Sequence, residues 1–476
     1  MKAKNQLPPL TPLTSPWMHK VMQSPTTIYQ LMEEYGSPLN IHHTAPFFDN
    51  YTEYKTVFES YDLKHLILFA RKANKCQSFV EATKSSGMGV DTASYQELKQ
   101  CIELGIHPEK LVVTAAIKSR KLIELAIKNS IVIILDNNDE CELVQSVAEQ
   151  LNMDAKVGVR VSGFSFKGSK LYSRFGFDIE GVADLVLNHF GKAKSLNRLV
   201  YCGIHFHLNG YSIDQRGEAL HQSLDLALRL GLSGYKTHFI DMGGGLLINY
   251  LKEKSQWTHF IQTLQLAVQG KHREITFQNQ GLGFSMIEEK LKGELNTYPY
   301  FNDKAKAVFL NGILSYSNRA GQSCADRIKA QGIEIRMEPG RSLLDQTGMT
   351  IAKVIFRKKD ALGNWLVGLD MNMTQMHSSS ADFLLDPFIL NQNQKDNEET
   401  TEVFFTGAYC LERDILLKRK IALKQLPAIG DLVVFVNTAG YMMHFFETEA
   451  HLFDLATNLF FKPNNETIEL SDFKKD

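Results

Sequence analysis

The stretch Ile67–Lys75, ILFARKANK, is an apolar run that stops on two adjacent charged residues. An unbroken apolar run is typical of a strand that is covered on both faces of a parallel sheet. Arg71 and Lys72 are of the types that are almost never fully buried without a partner. The stretch therefore predicts a buried strand, from His65 to Ala70, whose end presents an amine to a partner.

The same pattern returns along the chain: a short apolar run, a polar turn and a segment with helical spacing. One such segment, SYQELKQCIEL (94–104), opens on a capping box, Ser94 to Glu97, and is followed by Gly105. Strands that alternate with helices indicate a parallel sheet, and eight of them favour a closed TIM-type (β/α)8 barrel. An open doubly wound sheet is the alternative, but no GxGxxG follows the first run. The eight runs are His65–Ala70, Met88–Asp91, Leu111–Thr114, Ile131–Asp136, Val157–Val161, Leu199–His207, His238–Asp241 and Ile333–Met337.

The regular spacing breaks between runs seven and eight, where about ninety residues replace a short crossover. We expect an insertion at about 250–330 within a barrel domain of residues 46–342. Residues 343–476 contain extended segments such as MTIAKVIFRKK, NWLVGLDM, EVFFTGAY and DLVVFVNTAG, which predict a mainly antiparallel β domain. Residues 1–45 are expected to contribute to that domain, HLFDLATNLFF (451–461) is expected to be a helix, and the polar tail 462–476 is expected to fray.

Composition excludes several classes of partner. The 476 residues are 44% hydrophobic and carry 52 basic against 53 acidic side chains, so no overall field attracts nucleic acid or anionic lipid. The six cysteines show no metal-ligand spacing, no apolar run approaches a membrane span, and the first residues lack the apolar core of a secretory signal. The expectation is a soluble cytoplasmic protein without a metal, a membrane or nucleic acid as partner.

Side chains able to do chemistry follow most of the predicted strands at the same end. The C-terminal strand ends of a TIM barrel form one rim, where active sites lie. A simpler interpretation makes Lys72 a solvated lysine, His207 a structural histidine and Asp91–Arg160 an ion pair. The residues predicted at or near this rim are Lys72, Asp91, Arg160, His207, Gly243, Gly244, Gly245, Glu338, Gly340 and Arg341.

Two turns in that set are more specific than single side chains. The glycines of DMGGG (241–245) cost backbone entropy, so they predict a close approach or positive φ, and their N–H groups predict an anion nest. Pro339 in EPGRS (338–342) favours an extended Glu338, which aims its carboxylate. An amine, a flat imidazole, a phosphate nest and a carboxylate are together the requirements of pyridoxal 5′-phosphate.

Eight motifs occur in the order and approximate spacing of a known family: FARKANK, GVDTASYQEL, SRFGF, GIHFHLNG, DMGGG, EPGRS, GAYCLERD and TAGYM. From about residue 25 to about residue 450, leaving out the insertion, the chain resembles the fold-type III pyridoxal-phosphate decarboxylases, which include diaminopimelate, ornithine and arginine decarboxylases. The resemblance implies an alanine-racemase-like barrel followed by the decarboxylase β domain. It also implies a homodimer in which Cys410 and its neighbours complete the partner's active site.

The resemblance assigns roles to matching positions. Lys72 would hold the cofactor as an aldimine, His207 would stack on the ring, and Glu338 would pair with the ring nitrogen to support a quinonoid. Gly243, Gly244, Gly245 and Arg341 would contact phosphate or substrate, Tyr441 would reach the phosphate, and Cys410 would reprotonate Cα. The implied substrate contacts are Arg341, His377, Glu412 and Tyr441.

Departures from the family pattern concern the substrate. Leu411 stands where the family has an acidic residue after the cysteine, with Glu412 displaced by one, and Met376 or His377 stands where diaminopimelate enzymes have an arginine. Asn209 and Gly210 replace a serine that would bind phosphate. These differences argue against diaminopimelate and leave another amino acid or a conjugate. Glu338 favours decarboxylation, and the alternatives are a racemase or epimerase with the same cofactor, or a non-catalytic homologue.

Overall fold

The computed structural model describes residues 6–378, 383–391, 400–464 and 467–476. None of its helices combines the length and the apolarity needed to cross a membrane. The α-helices in this described part are α1 (Pro16–Met22), α2 (Pro25–Tyr35), α3 (Ala45–Ser60), α4 (Gln77–Ser86), α5 (Tyr95–Glu103), α6 (Arg120–Lys128), α7 (Asn138–Leu151), α8 (Ile179–His189), α9 (Ile213–Leu232), α10 (Lys254–Val268), α11 (Lys306–Ser315) and α12 (Cys324–Gln331).

The strands divide between two larger sheets and two short hairpins. They are β1 (Leu39–His42), β2 (His65–Ala70), β3 (Gly89–Thr92), β4 (Leu111–Val113), β5 (Val132–Leu135), β6 (Ala155–Ser162), β7 (Ser165–Phe166), β8 (Ser169–Lys170), β9 (Phe177–Asp178), β10 (Leu199–His205), β11 (Phe239–Asp241), β12 (Ser285–Ile287), β13 (Lys290–Lys292), β14 (Glu334–Met337), β15 (Gly348–Lys359), β16 (Trp365–Leu369), β17 (Phe388–Leu390), β18 (Thr401–Thr406), β19 (Ile421–Leu423), β20 (Leu432–Val436), β21 (Thr457–Phe461) and β22 (Phe473–Lys475).

The first compact unit, residues 48–247 and 304–343, is a closed parallel barrel. Its strands follow one another in the order β2, β3, β4, β5, β6, β10, β11 and β14, and β14 pairs with β2 to close the ring. Each of the eight predicted runs overlaps one of these strands, so the predicted TIM barrel is confirmed. The predicted cap is half formed: the Ser94 side chain accepts from the Glu97 N–H, but Glu97 accepts from the Ala93 N–H at 2.6 Å rather than from the Ser94 N–H, so the full capping box is absent there.

Side chains fill the barrel interior. Leu66, Leu68, Val112, Ile134 and Phe239 form one buried cluster there. Glycines on neighbouring strands make room for the phenylalanine: a Cβ added to the glycine at 158 would lie 3.2 Å from its ring, and one added at 203 would lie 2.7 Å from it. The barrel is therefore a packed core, which leaves its rim as the place for a site.

The second compact unit comprises residues 1–47, 248–303 and 344–476. Its sheet runs β19-β18-β16-β15-β1-β21-β22, with β20 pairing with both β15 and β17. The pairs β1–β21 and β16–β18 are parallel and the other pairs are antiparallel, so the predicted mainly antiparallel β domain is confirmed. Helices α1 and α2 pack their apolar residues, including Trp17 and Ile28, against this sheet.

Three expectations for the second half of the chain differ from the structure. The helix expected at 451–461 is wrong, because Thr457–Phe461 is β21, held between β1 and β22. The tail does not fray over its described residues, because Phe473 is buried in β22. The insertion expected at about 250–330 is divided between the units: residues 248–303 belong to the β unit, while α11 and α12 belong to the barrel and pack on α9.

Candidate active site

Lys72 projects from the first turn after β2 into a group of buried acids. The residue lies in a short 3-10 helix, Arg71–Ala73. Its Nζ donates to Asp91 Oδ2 at 2.8 Å and lies 3.9 Å from Glu338 Oε2. The lysine side chain is 36% exposed, whereas the two carboxylates are 0% and 3% exposed. The accessible Lys72 amine therefore lies next to two buried carboxylates. These acids are the partners predicted for the amine at this strand end.

Asp91 is held from both sides. Thr114 Oγ1 donates to its other carboxylate oxygen, at the end of the neighbouring strand β4. Burial raises the pKa of Asp91, and the nearby charge of Glu338 raises it further, while Lys72 opposes both. The ion pair between Asp91 and Arg160 considered from the sequence is absent from the described residues. Instead, Arg160 lies 3.8 Å from Asp136 and stacks on the ring of Phe175, at the rim end of β6.

Glu338 follows β14 and is fixed by a histidine on another strand. His205 Nε2, at the end of β10, donates to Glu338 Oε1 at 3.1 Å, and both side chains are buried. Burial alone would raise the pKa of Glu338, but His205, followed by Lys72, outweighs burial and holds that pKa well below its ordinary value. Burial and the charge of Glu338 raise the pKa of Asp241, at the end of β11, well above its usual range. The cluster thus favours the ionised form of Glu338 and disfavours ionisation of Asp241.

His207 presents a neutral imidazole at the mouth of the barrel. Burial, followed by the charges of Arg216 and Lys72, lowers its pKa to about 3. Its Nδ1 accepts from the Gly244 N–H at 3.2 Å, which places the ring proton on Nε2. The ring is therefore fixed in orientation and uncharged at neutral pH.

The glycine turn after β11 has the conformation that its sequence predicts. Gly243 and Gly245 have φ of 66° and 82°, and a Cβ at Gly244 would lie 2.3 Å from the Glu338 carbonyl oxygen. The Gly243 N–H donates to Asp241 Oδ1 at 2.9 Å. Within the described part of the chain, the N–H groups of Gly245 and Leu246 donate to no acceptor. Two adjacent amides are thus available to an anion.

The remaining rim residues of the predicted set, Gly340 and Arg341, follow β14 directly and are buried. The structure therefore brings the barrel members of the set to the same strand ends. His205 and Asp241 join them although the sequence did not identify them as site residues. The only available signal for His205 was its position two residues before His207, on a strand where alternate residues share a face.

The predicted residues outside the barrel lie in the β unit. Cys410 and Glu412 are exposed in a loop fixed by Asp414, which accepts from the Tyr409 N–H at 2.7 Å and from the Met373 N–H at 2.8 Å. His377 follows the 3-10 helix Met373–Met376, and its N–H donates to the Met442 carbonyl at 3.0 Å. Tyr441, beside Met442, has a positive φ of 73°. Hydrogen bonds thus join the segments that carry these four residues.

Comparisons with known proteins agree with this geometry. The family model described as "Pyridoxal-dependent decarboxylase, pyridoxal binding domain" matches residues 48–289, just over half of the chain. The uncharacterized protein y4yA of Sinorhizobium fredii is 27% identical over 440 residues, covering 89% of this chain and 87% of that protein. Diaminopimelate decarboxylase of Campylobacter jejuni is 23% identical over 422 residues, covering 87% and 88%.

A solved structure shares the fold of both units. Diaminopimelate decarboxylase from Helicobacter pylori, complexed with L-lysine, superposes with a TM-score of 0.66 at 20% sequence identity. The match covers 94% of this chain and 95% of that one. The matched structure therefore contains counterparts of both the barrel and the β unit, in the same order along the chain.

Proposed function

The chain belongs to the pyridoxal-dependent decarboxylase family and has pyridoxal 5′-phosphate as its cofactor, and from that premise we propose how its residues act. It removes the α-carboxylate of an amino acid or an amino-acid conjugate. Lys72 holds the cofactor, and Cys410 returns a proton to Cα. The observation that carries this proposal is the Lys72 amine, which lies 2.8 Å from one buried acid and 3.9 Å from another.

The rim residues fit a phosphorylated pyridine. Pyridoxal phosphate supplies an aldehyde that condenses with amines and a ring that withdraws electrons from Cα. Gly245 and Leu246 offer free N–H groups to a phosphate, and glycine at 244 keeps the space that a Cβ would close. His207 offers a flat neutral face to the ring. Gly340 and Arg341, which follow β14, are the proposed further contacts for phosphate or the substrate carboxylate.

Glu338 decides the type of reaction. A carboxylate held ionised by His205 would accept a hydrogen bond from the ring nitrogen of the bound cofactor and favour its protonated form. A protonated ring draws more electron density from Cα than a neutral one does. Asp91 orients the Lys72 amine through its 2.8 Å hydrogen bond. These two carboxylates therefore have separate roles, one at the ring nitrogen and one at the amine.

Cys410 acts as the proton donor, and a second copy of the chain brings it to the barrel mouth. Its thiol is exposed, and large apolar side chains are also exposed beside it in sequence (Leu411), 5.9 Å from the Tyr409 ring (Phe453) and 4.8 Å from the His377 ring (Phe446). Exposed apolar clusters of this kind are typical of protein interfaces. We propose a homodimer in which each barrel receives Cys410 and Glu412 from its partner. The exposed apolar residues are Leu411, Phe445, Phe446, Leu452, Phe453 and Leu455.

In this proposal, the segments that carry His377, Glu412 and Tyr441 bind the distal group of the substrate. The exposed Leu411 offers no charge to a distal ammonium. The proposal therefore favours an amino acid or conjugate without a terminal amine at that position. Arg341 remains the candidate for binding a carboxylate of the substrate.

Replacement of Lys72 tests the proposal. Lys72→Ala should lose the visible-range absorption band of the bound cofactor and all release of carbon dioxide from a panel of amino acids and conjugates. Lys64→Ala is the matched control, because Lys64 is exposed at the other end of the same strand. Carbon dioxide release by Lys72→Ala at the rate of the unchanged protein would refute the role of Lys72. Deuterium exchange at Cα without carbon dioxide release by the unchanged protein would indicate a racemase instead.

A further inference from the structure

Arg216 is a buried arginine that joins two rim loops of the barrel. It lies in the first turn of α9 and is 3% exposed. Its Nη1 donates to the Gly244 carbonyl at 2.9 Å, and its Nη2 donates to the carbonyls of Leu208 at 3.1 Å and Gly210 at 3.0 Å. Nη2 also lies 3.4 Å from the Gly245 carbonyl. One guanidinium therefore links the loop after β10 to the glycine turn after β11.

This cation has no counter-ion in the described residues. No carboxylate forms an ion pair with it, and its Nε is buried without an acceptor. Burial lowers the pKa of Arg216 to about 10, so the group remains charged at neutral pH. A positive charge in the first turn of a helix is also opposed by the helix dipole. A buried, uncompensated cation is costly, and an anion close by would offset the cost.

The carbonyl bonds of Arg216 also decide where the free amides point. In a trans peptide unit the N–H is directed opposite to the C=O. Because the carbonyls of Gly244 and Gly245 turn towards Arg216, the N–H groups of Gly245 and Leu246 turn away from it. These are the two amides that find no acceptor in the described residues. The same guanidinium holds the loop after β10 beside this turn through the Leu208 and Gly210 carbonyls.

We propose that Arg216 is a positioning residue for the cofactor phosphate. It holds the two loops together so that the Gly245 and Leu246 amides face the phosphate. Its positive charge, on the other side of these amides, also attracts the phosphate. The inference rests on the cofactor of the proposed function but not on decarboxylation. It assigns to Arg216 the orientation of the two amides that bind the phosphate.

The test compares a phosphorylated ligand with one that lacks the phosphate. The full-length chain is stripped of cofactor, and its dissociation constants for pyridoxal phosphate and for pyridoxal are measured. Arg216→Met should weaken pyridoxal phosphate by about 10- to 100-fold and pyridoxal by less than about twofold, because only the phosphate uses the clamped amides. Stabilisation of the stripped chain by inorganic phosphate should fall in parallel.

Two further variants keep the test decisive. Arg216→Lys retains the charge but cannot reach several carbonyls at once, so we expect an intermediate loss that is again confined to the phosphorylated ligand. Arg229→Met, on the exposed last turn of the same helix, should change neither constant. Equal losses for both ligands, or no loss in either Arg216 variant, would overturn the inference. Failure of decarboxylation with intact phosphate-selective binding would instead count against the proposed function alone.

Discussion

At the scale of single residues, three chemically similar acids at the mouth of the barrel have pKa values shifted in different directions. Asp91, Asp241 and Glu338 are all buried, yet only Glu338 has a neighbouring histidine hydrogen bond strong enough to lower its pKa. Each ionised acid raises the pKa values of the others. The acid whose charged form is best stabilised therefore remains ionised and disfavours ionisation of its neighbours. In the proposed mechanism, His205 therefore keeps Glu338 as the ionised carboxylate for the ring nitrogen.

His207 gives a testable dependence of stability on pH. Its folded pKa of about 3 lies below its ordinary value of 6.5, so between these values the unfolded chain binds a proton that the folded chain does not. Stability is therefore lost as the pH falls below 6.5, and His207 contributes at most about 2 kcal/mol of that loss between pH 6.5 and 5. We expect His207→Gln to lose correspondingly less stability over this range, as measured by urea unfolding of the cofactor-free chain at both pH values.

The comparison with the unchanged chain isolates the histidine. Asp91 and Asp241 have raised pKa values and change stability in the opposite direction, but they are present in both proteins. Parallel losses of stability in the two proteins would contradict the assignment of a neutral His207 in the folded chain.

The sequence predicted those site residues that follow strands, because the C-terminal ends of parallel strands meet at one rim. Lys72, Asp91 and Glu338 are of this kind. Arg216 could not be found in this way, since it lies on a helix and its partners are backbone carbonyls, which leave no trace in the side-chain pattern. His205 also escaped, because a strand histidine in a core and one that binds a carboxylate look alike in sequence.

At the scale of elements, the turn after β11 tolerates no added atom at its centre. A Cβ at Gly244 would meet backbone atoms of Glu338 at 2.3 and 3.2 Å, and neither can move independently of the site. We expect Gly244→Ala to cost about 1–3 kcal/mol of stability and to weaken cofactor binding. Urea unfolding and cofactor titration measure the two effects.

A glycine elsewhere provides the control. Gly231 lies inside α9 with nothing within 4 Å of an added Cβ, so Gly231→Ala should be neutral or stabilise the chain by up to about 1 kcal/mol. If Gly244→Ala behaved like Gly231→Ala, the close approach of the turn to β14 would be refuted.

The sequence misassigns an element where the local spacing of apolar residues favours a helix but long-range strand pairing favours a strand. Residues 451–461 have apolar side chains at helical intervals, but β21 pairs with β1, which is distant in sequence, as well as with the following strand β22. Tertiary pairing overrides local preference in such cases. The barrel strands were predictable because burial on both faces imposes continuous apolar runs, independently of any particular partner.

At the scale of the whole molecule, the proposed homodimer makes each site depend on two chains. Lys72→Ala and Cys410→Ala should each be inactive alone. When they are mixed under conditions of subunit exchange, half of the dimers are hybrids with one intact site, so about a quarter of the original activity should return. Carbon dioxide release before and after mixing measures this recovery. Continued inactivity of a mixture shown to contain hybrids would contradict a shared site.

The β unit is assembled from three separate parts of the chain, and this affects how the protein is made. Leu39 pairs with Thr457 and His42 with Phe460, so β1 emerges from the ribosome long before its parallel neighbour exists. Domains generally fold as they are synthesised, from the N-terminal side. We expect the nascent chain to complete its barrel while β1 is still unpaired, so that this sheet can close only after β21 has been synthesised.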